Sequence, residues 1–305
     1  MITNLNTESY RLPQVSIGMP VYNGEATICE ALDSLLAQTF TDFELIISDN
    51  ASTDGTEAIC REYAAQDARI RYVRQVANLG GAANFQFVLD EAVGEYFMWA
   101  ACDDIREDGF IEKLLAGFGN SEIVSSFCVS REIDENGCII NERVDFDFNG
   151  KSSVARIWKY SIDYRPLRDM PIYGIHKRER LLKYKKEIKP WGWINKSTLV
   201  NSAHPIMIYL LATGQHYIYK ENVLFSRRVV LNQVWKSEVV SRGESAKKMA
   251  FIVLKFQLFF RSVSAVFRGS KSKFITIITA PIILYASLRP VLLKILYPVN
   301  RLVSS

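Results

Sequence analysis

Five cysteines in 305 residues, with no Cys-x-x-Cys pair among them, leave little basis for a disulfide framework or a zinc site. Cys29, Cys60, Cys102, Cys128 and Cys138 are odd in number and scattered over expected helices, strands and a turn, which suits reduced thiols in a reducing cytosol. Strong charge is also lacking. The formal net charge is +4 at pH 7, too mild for nucleic acid as a main partner unless basic residues cluster, and they cluster only towards the C-terminus. The polar N-terminal segment, residues 1–13, has no apolar core, so no signal peptide is expected. No basic, glycine-rich loop follows the first apolar strand, which argues against a triphosphate cradle. What is present, 49% hydrophobic and 23% charged residues, suffices to bury a full core and excludes a disordered chain.

Against those absences the stretch from Gly94 to Asp104 stands out. Glu95-Tyr96-Phe97-Met98-Trp99-Ala100-Ala101-Cys102 follows a glycine turn and ends at Asp103-Asp104, which reads as a buried strand with carboxylates at its C-terminal edge. Open α/β sheets bind ligands at that edge. Two adjacent acids there must reach water, a cation or a metal, and a hard divalent ion that shares its ligands with a phosphate ester fits them. The competing reading is an acid pair that caps a helix from Ile105 to Gly117.

The first half repeats one unit. Val15 to Met19 is a short apolar strand, Pro20 to Gly24 breaks it, and Ala26 to Thr39 has helical periodicity through Ile28, Ala31, Leu32, Leu35 and Leu36. Phe43 to Ser48 is the next strand, Asp49 to Gly55 a polar turn, and Thr56 to Gln66 a helix capped by Thr53 or Asp54. Ile70 to Arg74, the Asn78-Leu79-Gly80-Gly81 loop and a helix over Ala82 to Val93 complete a third unit. Such alternation predicts an α/β fold with a mostly parallel sheet and helices on both faces. The loops after the strands then converge on one edge with Pro20, Tyr22 and Asn23, Asp49 and Asn50, Asn78 and Gly80, and Asp103 and Asp104. A ring to stack on a base, a carboxylate to accept from a base N–H, and acids for ribose and metal make a nucleotide pocket. Each loop taken singly also reads as ordinary turn chemistry.

Val15-Ser16-Ile17 through Pro20-Val21-Tyr22-Asn23, Ser34 to Phe40, Phe43 to Thr56, Asn78-Leu79-Gly80, Gly94-Glu95-Tyr96 and Asp103-Asp104 together resemble a family 2 glycosyltransferase over about Gln14 to Gly119. The resemblance implies the GT-A fold and inverting chemistry. It also implies that Pro20-Val21-Tyr22 lines the nucleotide base and Asp49 recognises it. Asp103 would lie near the ribose or sugar, and Asp104 would hold Mn²⁺ or Mg²⁺ bridging the donor diphosphate. One departure is Ala82-Ala83-Asn84, because many members carry Arg or Lys just before that Asn.

Residues 121–240 are expected to supply the acceptor side, after a nucleotide-binding half over residues 14–120. Ile123 to Ile133 reads as one strand, Asp134 to Gly137 as a hairpin turn, and Cys138-Ile139-Ile140 as the return. His176, in a segment similar to the family's acceptor-side strand, is either a substrate contact or a strand-end histidine satisfied by backbone. The resemblance places a general base at the start of a helix over Ala203 to Thr213, yet that neighbourhood, Asn201-Ser202-Ala203-His204-Pro205, holds no acid. His204 is the candidate base, with an unperturbed pKa of roughly 6.5, and a plain helix cap is the alternative. Asp169 and Glu187 are further carboxylates to consider.

Residues 241–305 read as an amphipathic helical appendage. Lys247, Lys248, Lys255, Arg261 and Arg268 recur opposite a broad aromatic face, and Lys271 and Lys273 precede a charge-free run, Phe274 to Leu288, broken by Pro281. That run is shorter than the roughly 20 residues of a spanning helix. It suits a membrane surface, or else core helices or a dimer face. The expectation is a peripheral enzyme on the cytoplasmic face of the inner membrane. It would move a sugar from a nucleoside diphosphate donor to a glycan or polyprenyl-linked acceptor, with no nucleic-acid partner. A sugar-nucleotide pyrophosphorylase and a non-catalytic membrane-bound nucleotide-binding adaptor are the alternatives.

Overall fold

The computed structural model describes residues 11–162, 170–187 and 203–229, with a few positions of the tail at 263, 266, 279–281 and 283–284. Strand β1 (Val15–Val21) is buried along its whole length, as a strand covered on both faces must be. Helix α1 (Ile28–Leu36) turns Ile28, Ala31, Leu32 and Leu35 inward, the spacing of a single helical face. It begins two residues later than its periodicity suggests. The amides of Thr27 and Ile28 both donate to the Gly24 carbonyl, at 3.1 and 3.0 Å, and hold the preceding segment in a turn.

Strand β2 (Phe43–Asp49), helix α2 (Thr56–Gln66), strand β3 (Ile70–Arg74), helix α3 (Gly81–Glu91) and strand β4 (Tyr96–Trp99) continue the alternation. The N-cap of α2 is Gly55, not Thr53 or Asp54 as expected; Asp54, one residue earlier, accepts from the Thr56 amide at 3.1 Å and the Thr56 hydroxyl at 2.6 Å. Strand β1 is the hub. It pairs in parallel with β2 from Val15 opposite Phe43 and with β4 from Val15 opposite Tyr96, while β2 carries β3 in parallel.

Beyond the acid pair the structure corrects two expectations. Residues 105–117 are not one helix: Ile105–Arg106 is a short strand, β5, and helix α4 spans only Phe110–Leu115. Asp103-Asp104 therefore precedes a strand and caps no helix. Residues 123–133 are not one strand either, but β6 (Ile123–Cys128) and β7 (Ser130–Ile133), which lie in different sheets. The chain changes sheet at Val129, whose amide donates to the Tyr219 carbonyl at 3.1 Å.

The hairpin return is β8 (Ile139–Val144), reached through a turn in which Gly137 takes φ 84°. Helix α5 (Ser153–Ile162), strand β9 (Ile175–Lys177), helices α6 (Arg178–Glu187) and α7 (Ala203–Thr213), and strands β10 (Gln215–Tyr219) and β11 (Phe225–Arg228) follow. The large sheet has the order β10-β6-β9-β4-β1-β2-β3, parallel except at β9, and is flanked by helices; a smaller sheet runs β5-β11-β7-β8. No described helix is long and apolar enough to cross a membrane. Of the expected tail, Val266, Thr279 and Ile283 are described and fully buried, and most of the remainder lies outside the described residues.

His176 is a core residue. Its Nε2–H donates to the Ile172 carbonyl at 3.0 Å, which leaves Nδ1 to accept from the Ser125 hydroxyl at 2.8 Å. Burial lowers its pKa to about 4, and burial with the nearby Arg156 lowers that of His216, on β10, to about 3. Both rings are thus neutral when folded and titrate near 6.5 when unfolded, so the unfolded chain binds more protons below that pH. Stability is expected to fall as pH drops from about 6.5 towards 4, by on the order of 3 kcal/mol per ring. A series of melts should show the slope, and His216→Phe should flatten it. A melting temperature constant between pH 6.5 and 4.5 would contradict this account.

Candidate active site

Because β1 to β4 are parallel neighbours, their C-terminal ends open onto one rim. The polar residues of the first three loops mainly fasten that rim. The Asn23 amide donates to the Ser52 hydroxyl at 2.9 Å, and Asn23 Oδ1 accepts from the Thr53 amide at 2.8 Å. Asn50 joins the third loop: its Nδ2 donates to Asn78 Oδ1 at 2.9 Å, and its Oδ1 accepts from the Leu79 amide at 2.8 Å. Asn78 Oδ1 also accepts from the Gly80 amide at 2.8 Å, where Gly80 takes φ 81° at the start of α3. Ala51 adopts φ 61°, a conformation an alanine rarely takes and one the surrounding bonds must enforce.

Asp49 is fully buried at the end of β2. Its Oδ1 accepts from the Ser52 amide at 2.8 Å, and its Oδ2 from the Tyr72 hydroxyl at 2.8 Å and from Arg74 Nη1 at 2.6 Å. Burial alone would raise its pKa, but the bonds from Ser52, Tyr72 and Arg74 outweigh that and hold the carboxyl below its ordinary value. Pro20 and Val21 are buried residues of β1, whereas the Tyr22 ring just beyond them is 48% exposed. Asn23, next in the chain, and Asn78 on the third loop are also exposed.

The fourth loop carries the acids. It is tied to the first by the Thr27 hydroxyl, which donates to the Cys102 carbonyl at 3.0 Å, and by Gly24, where a Cβ would stand 3.1 Å from Cys102 Sγ. Asp103 is partly exposed, while Asp104 is buried and, among the described residues, accepts one bond, from the Arg228 amide, at 3.0 Å on Oδ1. Burial, and after it the neighbouring Asp103, raises the Asp104 pKa to about 7; burial also raises that of Asp103. Two neighbouring carboxylates, one of them buried, favour a cation beside them.

Among the described residues no cluster of three or more His, Cys, Asp or Glu forms a complete metal cage. A pair of acids in which Asp104 Oδ2 has no hydrogen bond among the described residues suits an ion that completes its shell from diphosphate and water, so the donor set fits Mn²⁺ or Mg²⁺. His204 is the second residue of α7, but its side chain, like that of Glu187 and the whole of Asp169, lies outside the described residues.

Sequence reasoning passed over the cations that surround these acids. Arg106 is buried next to them, its guanidinium 5.0 Å from the Phe225 ring centre and 5.4 Å from that of Phe110. Its Nη2 donates to the Trp99 carbonyl at 3.1 Å, and its Nε and Nη1 find no partner among the described residues. Arg227 is close enough to pull both acids' pKa values down, and Tyr173 lies near enough for them to raise its own. The signal was available: Arg227-Arg228 is a charged pair at the end of a strand that otherwise enters the core.

Residues 16–177, just over half of the chain, match the sequence model of glycosyl transferase family 2. The chain belongs to that family. The transferase is 36% identical over 101 residues to glycosyltransferase GlyG of Streptococcus pneumoniae serotype 4, a stretch that covers 33% of this chain and 33% of that relative. It is 34% identical over 147 residues to chondroitin synthase of Escherichia coli, covering 48% of this chain and 21% of the synthase. The matches thus span a third or less of these relatives' own lengths.

Among solved structures, S. aureus TarS 1–349 in complex with UDP superposes with TM-score 0.62 at 15% identity, over 90% of this chain and 70% of that one. The mannosyltransferase PcManGT of Pyrobaculum calidifontis, in complex with GDP-Man and Mn²⁺, gives TM-score 0.52 at 16% identity, over 94% and 76%. At such identities the likeness is one of fold, and the fold of the transferase is GT-A.

Proposed function

We propose that this transferase moves a sugar, with inversion, from a nucleoside diphosphate donor to a glycan or polyprenyl-linked oligosaccharide, with Asp104 as the ligand of Mn²⁺ or Mg²⁺. The observation that carries the reading is the shared rim, where an exposed Tyr22 ring and a buried acid pair stand on loops bonded to one another. Tyr22 stacks on the base, flanked by Asn23 and Asn78, while Asp49 and Pro20 set the floor beneath it and Gly80 admits close backbone approach. Asp103 faces the ribose or sugar. A bound divalent ion would stabilise charge on the departing diphosphate. His204 at the start of α7 is the proposed base for the acceptor hydroxyl.

On this reading residues 14–120 hold the donor and 121–240 the acceptor. The basic and aromatic tail, 241–305, keeps the enzyme at the membrane surface where such acceptors lie, and the composition of that tail supports it. A thermal-shift panel of UDP, dTDP and GDP, each with and without Mn²⁺, tests the donor site. One nucleotide with Mn²⁺ is expected to raise the melting temperature by about 5 °C at a hundredfold excess over its Kd, and by far less without metal. No shift with any of the three would refute the reading.

A further inference from the structure

We infer that Arg228 is a positioning residue for the donor site: it sets the acid pair in place through backbone groups while its guanidinium bonds neither of the two carboxylates. The inference rests on the proposed role of Asp104.

Arg228 ends β11, and its side chain is 2% exposed. A buried guanidinium near two acids would ordinarily fork onto a carboxylate. Here it does not. Nε donates to the backbone carbonyl of Asp103 at 3.1 Å, Nη1 to the carbonyls of Asp134 and Glu135 at 3.2 and 2.9 Å, and Nη2 to Glu30 Oε2 at 2.5 Å. Its own amide supplies the one bond to Asp104. A single residue therefore joins the loop after β4, the turn between β7 and β8, and helix α1.

Two consequences follow from the chemistry. The Asp103 carbonyl and the Asp104 carboxylate are both anchored to one rigid strand residue, so the direction of the free Asp104 oxygen is set by β11. And because Glu30 serves as the ion-pair partner, the charge of Arg228 is balanced from the far side and competes less with a metal for the acids. A residue that merely fastened two sheets would require neither arrangement.

The test measures Mn²⁺ affinity, from the electron paramagnetic resonance of free Mn²⁺ with UDP present, for the full chain and for Arg228→Gln, Arg228→Lys, Glu30→Gln and Asp104→Ala. Arg228→Gln should weaken Mn²⁺ binding tenfold or more while UDP binding without metal stays within twofold. Arg228→Lys, which keeps the charge but loses the fork, should remain weakened. Glu30→Gln, at a half-exposed position that leaves the fold intact, should weaken it about threefold. Wild-type Mn²⁺ affinity in Arg228→Lys and Glu30→Gln would overturn the inference even if Arg228→Gln failed to fold. If Asp104→Ala itself bound Mn²⁺ like the wild type, the reading of the acid pair would fail instead.

Discussion

Replacing Asp104 with alanine is expected to lower sugar transfer by on the order of 10³-fold, with the melting temperature unchanged or slightly raised. The two halves of that result have one cause. The Asp104 carboxyl is buried beside Asp103 and accepts a single hydrogen bond, so its ionised form is costly to the fold when no cation is bound. Removing it relieves that cost and leaves only the Arg228 amide to be satisfied. The same removal takes away the ligand proposed to fix the ion on the donor diphosphate. Transfer, or donor hydrolysis if the acceptor is not yet in hand, is measured with Mn²⁺ alongside a circular dichroism melt. Full activity in the variant, or full wild-type activity in metal-free buffer, would remove the metal from the mechanism.

The opposite balance is expected at Asp49. Asp49→Ala should lower the melting temperature by on the order of 10 °C, because it strands the Ser52 amide, the Tyr72 hydroxyl and one end of Arg74 around a fully buried position. Nucleotide affinity should fall with it, since the second loop shapes the rim through Asn50 and Ser52. Asp49→Asn, which keeps an acceptor for the Ser52 amide but loses the charge opposite Arg74, should sit between the two. A melt of Asp49→Ala within about 2 °C of wild type would show that the network is dispensable.

Much of residues 14–120 could be read from the sequence. The strands from Val15, Phe43 and Tyr96 are largely apolar runs followed by Gly, Asn or Asp, and those local signals agree with the long-range order. Asp103-Asp104 was recognisable because two acids cannot continue a buried strand. What stayed hidden was decided by distant partners. Ile105 and Arg106 look like the start of a helix until Ser226 and Phe225 pair with them across the small sheet. The break at Val129 depends on a carbonyl ninety residues later. The polar loop residues Asn23, Asn50 and Asn78 invite a ligand reading, but Asn23 and Asn50 bond to the neighbouring loop and Asn78 also to its own, so each first fastens the rim. The Arg227-Arg228 pair marks Arg228 as unusual, but not its partners, since its four side-chain bonds reach three separate segments.

The three-residue strand β9 has an effect on how the molecule is made. It lies between β4 and β6 and is the only ladder joining the two sides of the large sheet among the described residues. In a nascent chain that has left the ribosome as far as Cys128, β6 therefore has no strand ladder to β4, and none can form until Ile175 to Lys177 emerge. The loop of acids waits longer still, for its partner at position 228.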